Sequence, residues 1–400
     1  MYENTCLKGL RVIDIASYNS GPIAAQILGD LGAAVLKIER VKGGDPTRSM
    51  GPFVEGTSLY FQHLNRNKRS MTLNYATDAG REIFYQLAKE TDVIIENFVA
   101  GQTKKLKIDY ETLREINPQL IMLSITGFGQ KDSPYIHKPA FDIMTQAFSG
   151  IVAVTGRPEE AGVKAGPAII DEMSGWWGAL GVLAALYERT ISGTGQHIDL
   201  SMADCGINSL EHMITQYGMT GKVDGRLGNK HASAVPCGGY NSSDGEETFF
   251  IATANQKQFG ALMDVIGRPE LKEDSRCATA TARVENRDFV DSAINEFTSQ
   301  YSRDEVLKML EAANIPCAPV NTIQDLWEEP HFRERGEIVE LDHPVLGKVP
   351  FTITPFRLSK TPLRIESAGP LLGADNEEIL RDCLHKTDEE IAQLRANGVI

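Results

Sequence analysis

Residues 10–39 read LRVIDIASYNSGPIAAQILGDLGAAVLKIE, and this stretch decides the fold class. The branched residues of 10–15 predict a short buried strand, and AVLKI at 34–38 predicts a second one. Between them, Pro22 stands near the start of an apolar segment that ends at Gly32, a pattern typical of a helix. A strand, a helix and a second strand make a β-α-β unit, which predicts a parallel sheet with a right-handed crossover.

The turn after the first strand bears on the ligand of this unit. A dinucleotide-binding unit carries the pattern G-x-G-x-x-G there, because glycines let the pyrophosphate touch the backbone. Here the turn at 17–22 reads SYNSGP, with a single glycine and a proline. The order of elements suits a nicotinamide-binding fold, but the missing glycines argue against that ligand.

Further strands are predicted at 92–96 and 120–125, and each is followed by a polar or glycine-containing loop. The loops that follow neighbouring parallel strands meet at one edge of a sheet. The sequence therefore predicts a ligand pocket at the carboxyl ends of the strands.

Basic residues are concentrated in two segments near these strand ends. Seven of them lie between positions 37 and 69, namely Lys37, Arg40, Lys42, Arg48, Arg66, Lys68 and Arg69. A second group consists of Lys104, Lys105 and Lys107. In a chain with a formal net charge of −14, such a reversal of sign is either a solvated basic face or a rim that binds phosphate oxygens.

Residues 166–186, GPAIIDEMSGWWGALGVLAAL, carry the candidate reactive group. They predict a short apolar strand at 168–170, then Asp171, then a long helix that we expect to be buried because it has almost no charge. Asp171 is either the N-cap of this helix or a nucleophile at the edge of the pocket, and these residues alone favour the more frequent cap. Asp142, in a predicted helix at 139–150, is interpreted as a satisfied buried or capping aspartate.

Composition limits the class of protein. The chain has 400 residues, 42% of them hydrophobic and 24% charged, and a pI of about 5.1. These values indicate a globular protein of more than one domain, and the acidic balance argues against a nucleic-acid or membrane-surface binder. Six scattered cysteines without a CxxC pair argue against a metal site or a disulfide framework. The N-terminus lacks a signal pattern and 176–186 is too short to span a bilayer, so we expect a cytoplasmic protein.

The chain changes character near residue 218, where a glycine-rich polar stretch without helical period begins. We predict a large domain at 1–217, a linker at 218–230 and a small α+β domain at 231–325. Residues 326–400 are predicted to return to the large domain as a linker and two amphipathic helices.

Several motifs, in order along the whole chain, resemble those of the family III CoA transferases, the CaiB/BaiF family. They are LKGLRVIDI, SGPIAAQILGDLGAAVLKIE, GDPTR, NRNKRSMTLN, DVIIENF, ITGFGQ, FDIMTQAFSG, GVLAALYER with SGTGQHIDLSM, and PLLG. The resemblance implies an α/β fold with a Rossmann-like large domain built from both chain ends and a small α+β domain inserted between them. It also implies an interlocked homodimer, in which two subunits thread through each other.

The resemblance also assigns site residues. Asp171, in IIDEMSG, matches the family's catalytic aspartate, and coenzyme A is implied as a substrate. The positions that match the family's CoA contacts are Tyr18, Asn19, Ser20, Arg40, Met71, Asn97, Phe98, Lys105 and Lys138. This sequence departs from the pattern at Ile170, where a small residue is usual. It departs again at 231–240, where HASAVPCGGY stands in place of the glycine-rich flap of the formyl-CoA branch.

The implied reaction moves CoA from an acyl-CoA thioester to a carboxylic acid. Asp171 would attack the thioester carbonyl to give a mixed anhydride and then an aspartyl-CoA thioester, so that one difficult step becomes several easier ones. Backbone N–H groups of ITGFGQ or PCGGY are candidates for stabilising the oxyanion. Arg40 and Lys105 are expected to bind phosphates of CoA.

The acids exchanged are suggested by stretches such as VEGTSLYFQHLNRNKRS and TANQKQF, which look closest to the branch acting on succinyl-CoA and other dicarboxylic acids. Arg226, Lys230 and His231 are candidates for meeting a second carboxylate. The alternative for each of them is a solvated linker charge.

Three other functions fit parts of the pattern. A 2-methylacyl-CoA racemase of the same fold uses a histidine and an aspartate as bases, but Phe141 stands where that branch has a histidine before Asp142. An intramolecular CoA transferase, which moves CoA between two carboxyls of one acid, fits the same residues. A non-enzymatic acyl-CoA binder would not need Asp171.

Overall fold

The computed structural model describes residues 5–223 and 225–400. Residues 1–4 of the predicted large domain and residue 224 of the predicted linker lie outside the described residues. The chain divides into two compact units. The first unit comprises Met1–Ile151, Ala165–Glu211 and His331–Ile400, and the second comprises Val152–Lys164 and His212–Pro330. The domain boundaries proposed from the sequence remain predictions.

Strands occur in both units. In chain order they are β1 Arg11–Asp14, β2 Ala34–Glu39, β3 Phe53–Val54, β4 Thr57–Ser58, β5 Lys68–Thr72, β6 Val93–Glu96, β7 Ile121–Thr126, β8 His197–Ser201, β9 Cys237–Ser242, β10 Gly245–Ala252, β11 Cys317–Pro319, β12 Ile338–His343 and β13 Gly347–Thr352.

Helices connect most of these strands. They are α1 Ser20–Asp30, α2 Leu59–Asn65, α3 Asp78–Ala88, α4 Gln102–Leu106, α5 Tyr110–Ile116, α6 Asp142–Phe148, α7 Ile151–Val154, α8 Ile169–Ser192, α9 Met202–Asn208, α10 Met213–Thr220, α11 Gln256–Val265, α12 Ala280–Glu285, α13 Arg287–Thr298, α14 Arg303–Ala312, α15 Ile323–Glu328, α16 Pro330–Glu334, α17 Asn376–Glu378 and α18 Asp388–Ala396. Short 3₁₀ turns lie at Pro46–Ser49 and Pro269–Lys272, and a π turn lies at Ile379–Cys383.

A six-stranded sheet with the order β5-β2-β1-β6-β7-β8 forms the centre of the first unit. Each pair of neighbouring strands in it is parallel, which confirms the predicted β-α-β unit. β1 has β2 on one side and β6 on the other, so the chain moves in opposite directions across the sheet from β1. Ligands of such sheets bind at this switch point, beyond the carboxyl ends of the strands.

Both faces of the sheet are covered, because successive side chains of a strand point to opposite faces. Val12 packs in a core with α1 and α8, whereas Ile13 packs in a second core with α3 and α5. The second core also takes in Val399 and Ile400, so residues from both ends of the chain share it. Gly175 lets α8 approach α1 closely, since a Cβ at this position would lie 2.4 Å from a methyl carbon of Ile23.

The second unit has a three-stranded antiparallel sheet with the order β11-β10-β9. Its core consists of the buried face of this sheet and of α11, α13 and α14, with Phe249 and Phe259 fully buried. Among the described residues, none of the helices has the length and apolar character needed to cross a membrane.

Several local predictions were wrong. Residues 168–170 are not a strand, because α8 already begins at Ile169. This helix is not buried all round either, since Trp176, Trp177 and Leu180 are each about half exposed, at 51%, 45% and 53%. Strand β5 was missed because its first residues, Lys68 and Arg69, made the segment resemble a solvated basic stretch.

Two further expectations, one for a helix start and one for the PCGGY segment, also differ from the structure. The predicted helix at 139–150 begins only at Asp142. PCGGY, a candidate for supplying N–H groups to the oxyanion, is mostly strand β9 of the second unit. Its Gly239 N–H already donates to the Asn229 carbonyl, at 3.0 Å, so this group is not free to stabilise an oxyanion.

Candidate active site

A cavity of about 420 Å³ opens at the carboxyl ends of β1, β2, β6 and β7. Its walls are the segments that follow these strands, together with residues 136–141 and the first turn of α8. This is the place where the sequence predicts a pocket, and it is the switch point of the sheet.

Six of the nine predicted CoA-binding residues line this cavity together with the predicted nucleophile. They are Tyr18, Ser20, Arg40, Asn97, Phe98 and Lys138, with Asp171 as the seventh residue. Arg40 and Lys138 are exposed, so two cations stand at the rim. The functional roles of these residues remain predictions, but the fold places them around one space.

The other three predicted CoA-binding residues lie elsewhere in the first unit. Met71 is fully buried in the core beneath the sheet, and Lys105 is exposed on the short helix α4. Asn19 is the buried N-cap residue of α1, and its side-chain oxygen Oδ1 has no hydrogen-bond partner among the described residues.

Asp171 lies in the first turn of α8, two residues after its start, so it is not the N-cap. The N-cap residue is Ala168, whose side chain cannot accept a hydrogen bond. In the described parts of the chain, no hydrogen bond or ion pair engages the Asp171 carboxylate. A half-buried carboxylate without a partner beside a cavity is available for reaction.

The cap of α8 comes from Asp142, and its interpretation as a satisfied buried or capping aspartate is thereby confirmed. Its Oδ1 accepts the backbone N–H groups of Ile170, at 2.8 Å, and of Asp171, at 3.3 Å. Its Oδ2 accepts a bond from Gln146 at 2.6 Å. Asp142 therefore fixes the backbone of the candidate nucleophile. The sequence signal for such a distant cap is the absence of a capping residue at Ala168.

The electrostatic surroundings of Asp171 disfavour its ionised form. Burial, and after it the negative charges of Asp142 and Glu172, raise the pKa of Asp171 to about 7. Burial also raises the pKa of the neighbouring Glu172. Tyr60 belongs to the same environment: burial raises its pKa, a hydrogen bond with Asn19 opposes this, and the Asp171 charge adds to it. The sequence gives no signal for Tyr60.

The basic segment at 37–69 is largely not a phosphate rim. Five of its seven cations form ion pairs with carboxylates, namely Lys37, Arg48, Arg66, Lys68 and Arg69. Of these, Lys37, Arg66 and Lys68 are buried. Arg40 and Lys42 have no ion pair within residues 5–223 and 225–400. The sign reversal seen in the sequence therefore reflects mostly buried pairs, and Arg40 is an exposed cation of this segment that lines the cavity.

The cations suggested for a second carboxylate belong to the second unit, and two of them are already engaged. Arg226 donates to four backbone carbonyls, including those of Arg157 at 3.2 Å and Glu160 at 2.6 Å. Lys230 lies 3.3 Å from a carboxylate oxygen of Asp291. In the described residues no cluster of three or more His, Cys, Asp or Glu side chains is arranged to hold a metal ion.

The chain belongs to CoA-transferase family III, because the model of that family matches residues 7–376. The protein is therefore an enzyme of the CoA-transferase class, and the resemblance noted from its motifs is confirmed.

Individual relatives are similar along nearly the whole chain. A succinyl-CoA–D-citramalate CoA-transferase of Chloroflexus aurantiacus is 34% identical over 396 residues, which cover 98% of each chain. A succinate–glutarate CoA-transferase of Agrobacterium fabrum is 36% identical over 383 residues, 94% of this chain and 95% of the relative. The crystal structure of a CAIB/BAIF family protein from Brucella suis superposes with a TM-score of 0.86 at 39% identity, covering 95% of this chain and 100% of that one.

Proposed function

We propose that this protein transfers CoA from succinyl-CoA, or a similar dicarboxylic acyl-CoA, to a second carboxylic acid, with Asp171 as the covalent carrier. The observation that supports this most directly is the position of Asp171. It lines the cavity at the switch point of the sheet, its carboxylate is without a partner in the described residues, and Asp142 fixes its backbone.

Each half of the reaction exchanges one bond for another at a carbonyl carbon. The Asp171 carboxylate attacks the thioester carbonyl, the C–S bond breaks, and CoA leaves as a thiolate, which gives a mixed anhydride. The thiolate then attacks the aspartyl carbonyl and releases the donor acid as a carboxylate, leaving an aspartyl-CoA thioester. The acceptor carboxylate runs the same two steps in reverse, which forms the new acyl-CoA and restores Asp171.

The surroundings of Asp171 suit this role. A carboxylate whose pKa is raised to about 7 is more basic than an ordinary aspartate, yet about half of it is ionised at neutral pH. The apolar side chains of Ile125 and Met202 line the same cavity and limit access of water to an anhydride.

CoA chemistry also fits the residues of the cavity. Arg40 and Lys138 are cations at the rim, suited to phosphate oxygens. Beside the cavity lining, between Tyr18 and Ser20, the buried Oδ1 of Asn19 has no partner in the described residues. Such an oxygen suits an amide N–H like the two in the pantetheine arm of CoA. Lys105 does not line the cavity in this structure, so Lys138 is the stronger candidate for a phosphate contact.

We include an interlocked homodimer and a cytoplasmic location in the proposal. Large apolar side chains on one side of α8 are exposed, namely Trp176, Trp177, Leu180, Tyr187 and Ile191. α6 likewise exposes Ile143, Met144 and Phe148. Apolar faces of this kind are typical of interfaces between subunits.

The choice of succinyl-CoA rests on the relatives, several of which carry succinyl-CoA or succinate in their names. A screen that pairs succinyl-CoA with a series of mono- and dicarboxylic acids, read by the acyl-CoA formed, defines the acceptor. If CoA moves only between the two carboxyls of one dicarboxylic acid, and is never transferred to a second acid, the enzyme is an intramolecular CoA transferase.

The covalent carrier is tested by trapping. The enzyme is incubated with an acyl-CoA and then with hydroxylamine or borohydride, and the modified peptide is located by mass spectrometry. We expect the adduct on Asp171, and none in Asp171→Ala. Full activity of Asp171→Ala without any adduct would refute the mechanism. Exchange of the α-proton of 2-methylacyl-CoA for deuterium, without transfer, would indicate a racemase instead.

A further inference from the structure

The loop between β1 and α1 is held in place by side chains from β1, from β2 and from the segments after β2 and β6, rather than shaped by glycines. Asp14 accepts the N–H of Ala16 at 3.0 Å. The side chain of Asn97 engages both backbone groups of Ser17: it accepts the N–H at 2.9 Å and donates to the carbonyl at 2.6 Å. The amide of Asn97 is thus used to hold the loop.

Two further side chains complete this support. Lys37, on β2, donates to the carbonyl of Ala16 at 2.9 Å. Asp45, in the segment after β2, accepts the N–H of Tyr18 at 3.4 Å and lies 2.9 Å from the Lys37 ammonium. Lys37 and Asp45 both line the cavity. The pair therefore joins the loops after two neighbouring strands at the cavity wall.

The pair is part of a buried chain of charges. The side chains of Lys37 and Asp45 are each 1% exposed, and Asp14 lies 3.5 Å from Lys37. The same oxygen of Asp14 lies 2.8 Å from the ammonium of the fully buried Lys68. Burial lowers the pKa of Lys37, but the carboxylates of Asp14 and Asp45 outweigh it, so its pKa stands above the ordinary value. Lys37 is thus a permanent charge whose partners are fixed.

What this chain of charges supports is the conformation of Tyr18. Its φ of 65° lies in the left-handed region, which is unfavourable for a bulky residue without support from its surroundings. The ring of Tyr18 packs edge-on against Phe141, with centroids 5.5 Å apart. Phe141 immediately precedes Asp142, the residue that caps α8. The loop thus contacts the segment that positions Asp171.

We propose that Lys37 is a positioning residue for CoA: with Asp45 it fixes the β1–α1 loop, and thereby Tyr18, in the shape that receives CoA. This inference rests on the proposed function. It differs from the view of Lys37 as a phosphate ligand, because its ammonium is enclosed and already bonded to Ala16 and Asp45.

Lys68 offers a matched control. It is as buried as Lys37 and binds the same Asp14, but its other partners are the Pro22 carbonyl and Asn65, and it does not line the cavity. Removing either charge breaks a buried pair and destabilises the fold. Only the loss of Lys37 removes a bond from the β1–α1 loop.

The experiment compares Lys37→Met with Lys68→Met. Titration calorimetry with free CoA gives the Kd, urea denaturation gives the stability, and steady-state kinetics give separate KM values for acyl-CoA and for the acceptor acid. We expect Lys37→Met to raise the Kd for free CoA and the KM for acyl-CoA by about ten- to a hundredfold, which is the effect of a misplaced binding group. In Lys37→Met the KM for the acceptor acid should stay within about twofold of the wild-type value. In Lys68→Met the Kd for free CoA should also stay within about twofold of the wild-type value.

Equal effects of the two variants on CoA binding, or an unchanged Kd in Lys37→Met, would overturn the inference. If Lys37→Met does not fold, the double variant Lys37→Met with Asp45→Asn removes both charges of the pair and is held to the same expectation. Because the probe is free CoA, the two proposals can fail separately. If wild type binds CoA but transfers none, the proposed function is refuted and this inference is not. A wild-type protein that does not bind CoA refutes both.

Discussion

Replacing Asp142 by asparagine should separate the two effects of its carboxylate on Asp171. The carboxylate accepts the N–H groups of Ile170 and Asp171, at 2.8 and 3.3 Å, and its charge raises the pKa of Asp171. An asparagine oxygen accepts the same bonds without the charge. We therefore expect Asp142→Asn to preserve the start of α8 and to lower the pKa of Asp171.

The size of the effect follows from the surroundings. The pKa of Asp171 is raised to about 7, against an ordinary aspartate value of about 3.9. Burial is the largest cause and Asp142 the next, so we assign about one pH unit to Asp142, equivalent to ~1.4 kcal/mol. At about pH 6 the ionised fraction of Asp171 should rise from about one tenth to about one half.

The substitution also has a cost in stability. The new amide NH2 would face the NH2 of Gln146, which now donates to Asp142 at 2.6 Å. Gln146 is not free to turn over, because its oxygen accepts the N–H of Ala165 at 2.9 Å. Losing this bond should lower the free energy of unfolding by about 1–3 kcal/mol.

The assay is the pH dependence of kcat/KM for acyl-CoA, which reports groups of the free enzyme. The acid limb should move from about pH 7 to about pH 6 in Asp142→Asn. The control is Asp109→Asn, since Asp109 caps α5 through Thr112 but does not contribute to the pKa of Asp171. It should reproduce a loss of stability with no movement of the limb. A limb that stays in place in Asp142→Asn, or moves upward, would refute the reasoning.

Three further variants test the nucleophile, the packing of α8 and the dimer. Asp171→Asn should abolish transfer yet stabilise the fold. The raised pKa means that the native state holds its proton more tightly than the unfolded chain, so wild type loses stability as the pH rises through about 4 to 7. Above pH 7, urea denaturation should give Asp171→Asn a free energy of unfolding roughly 1–3 kcal/mol higher than that of wild type. This gain is less than the full pKa shift implies, because water still reaches the carboxylate. Equal stability of the two proteins at both ends of this pH range would contradict the expectation. Gly175→Ala should lower the free energy of unfolding by about 1–2 kcal/mol, because the new Cβ would lie 2.4 Å from Ile23. Gly181→Ala on the same helix meets only an ordinary contact of 3.4 Å and should be neutral or stabilising. Equal free energies of unfolding for the two variants would argue against close α1–α8 packing. Leu180→Lys should lower the midpoint of urea denaturation, because it buries a charge at the proposed α8 interface of the interlocked dimer, whereas the exposed control Glu340→Lys should unfold as wild type does. Equal midpoints in both variants would argue against the α8 face as the interface.

Sequence patterns predicted the parts of the fold that depend on local periodicity. The β-α-β unit at 10–39 follows from short branched runs and a proline near the helix start, and the parallel sheet follows from that unit. Strand β5 escaped prediction because a lysine at its start normally indicates solvent. Lys68 is buried only because Asp14, 54 positions earlier, lies 2.8 Å from its ammonium.

The candidate site shows the same division. The sequence alone predicted a pocket at the strand ends and an aspartate near the start of a largely apolar helix, because the order of elements along the chain and the side-chain types can be read directly from the sequence. It could not establish that the Asp171 carboxylate is without a partner among the described residues, that Asp142 caps the helix that carries Asp171, or that Lys37 donates to Ala16 of the β1–α1 loop. These facts depend on distances between residues far apart in the chain, and hydrogen bonds and burial exist only once the tertiary structure brings those residues together.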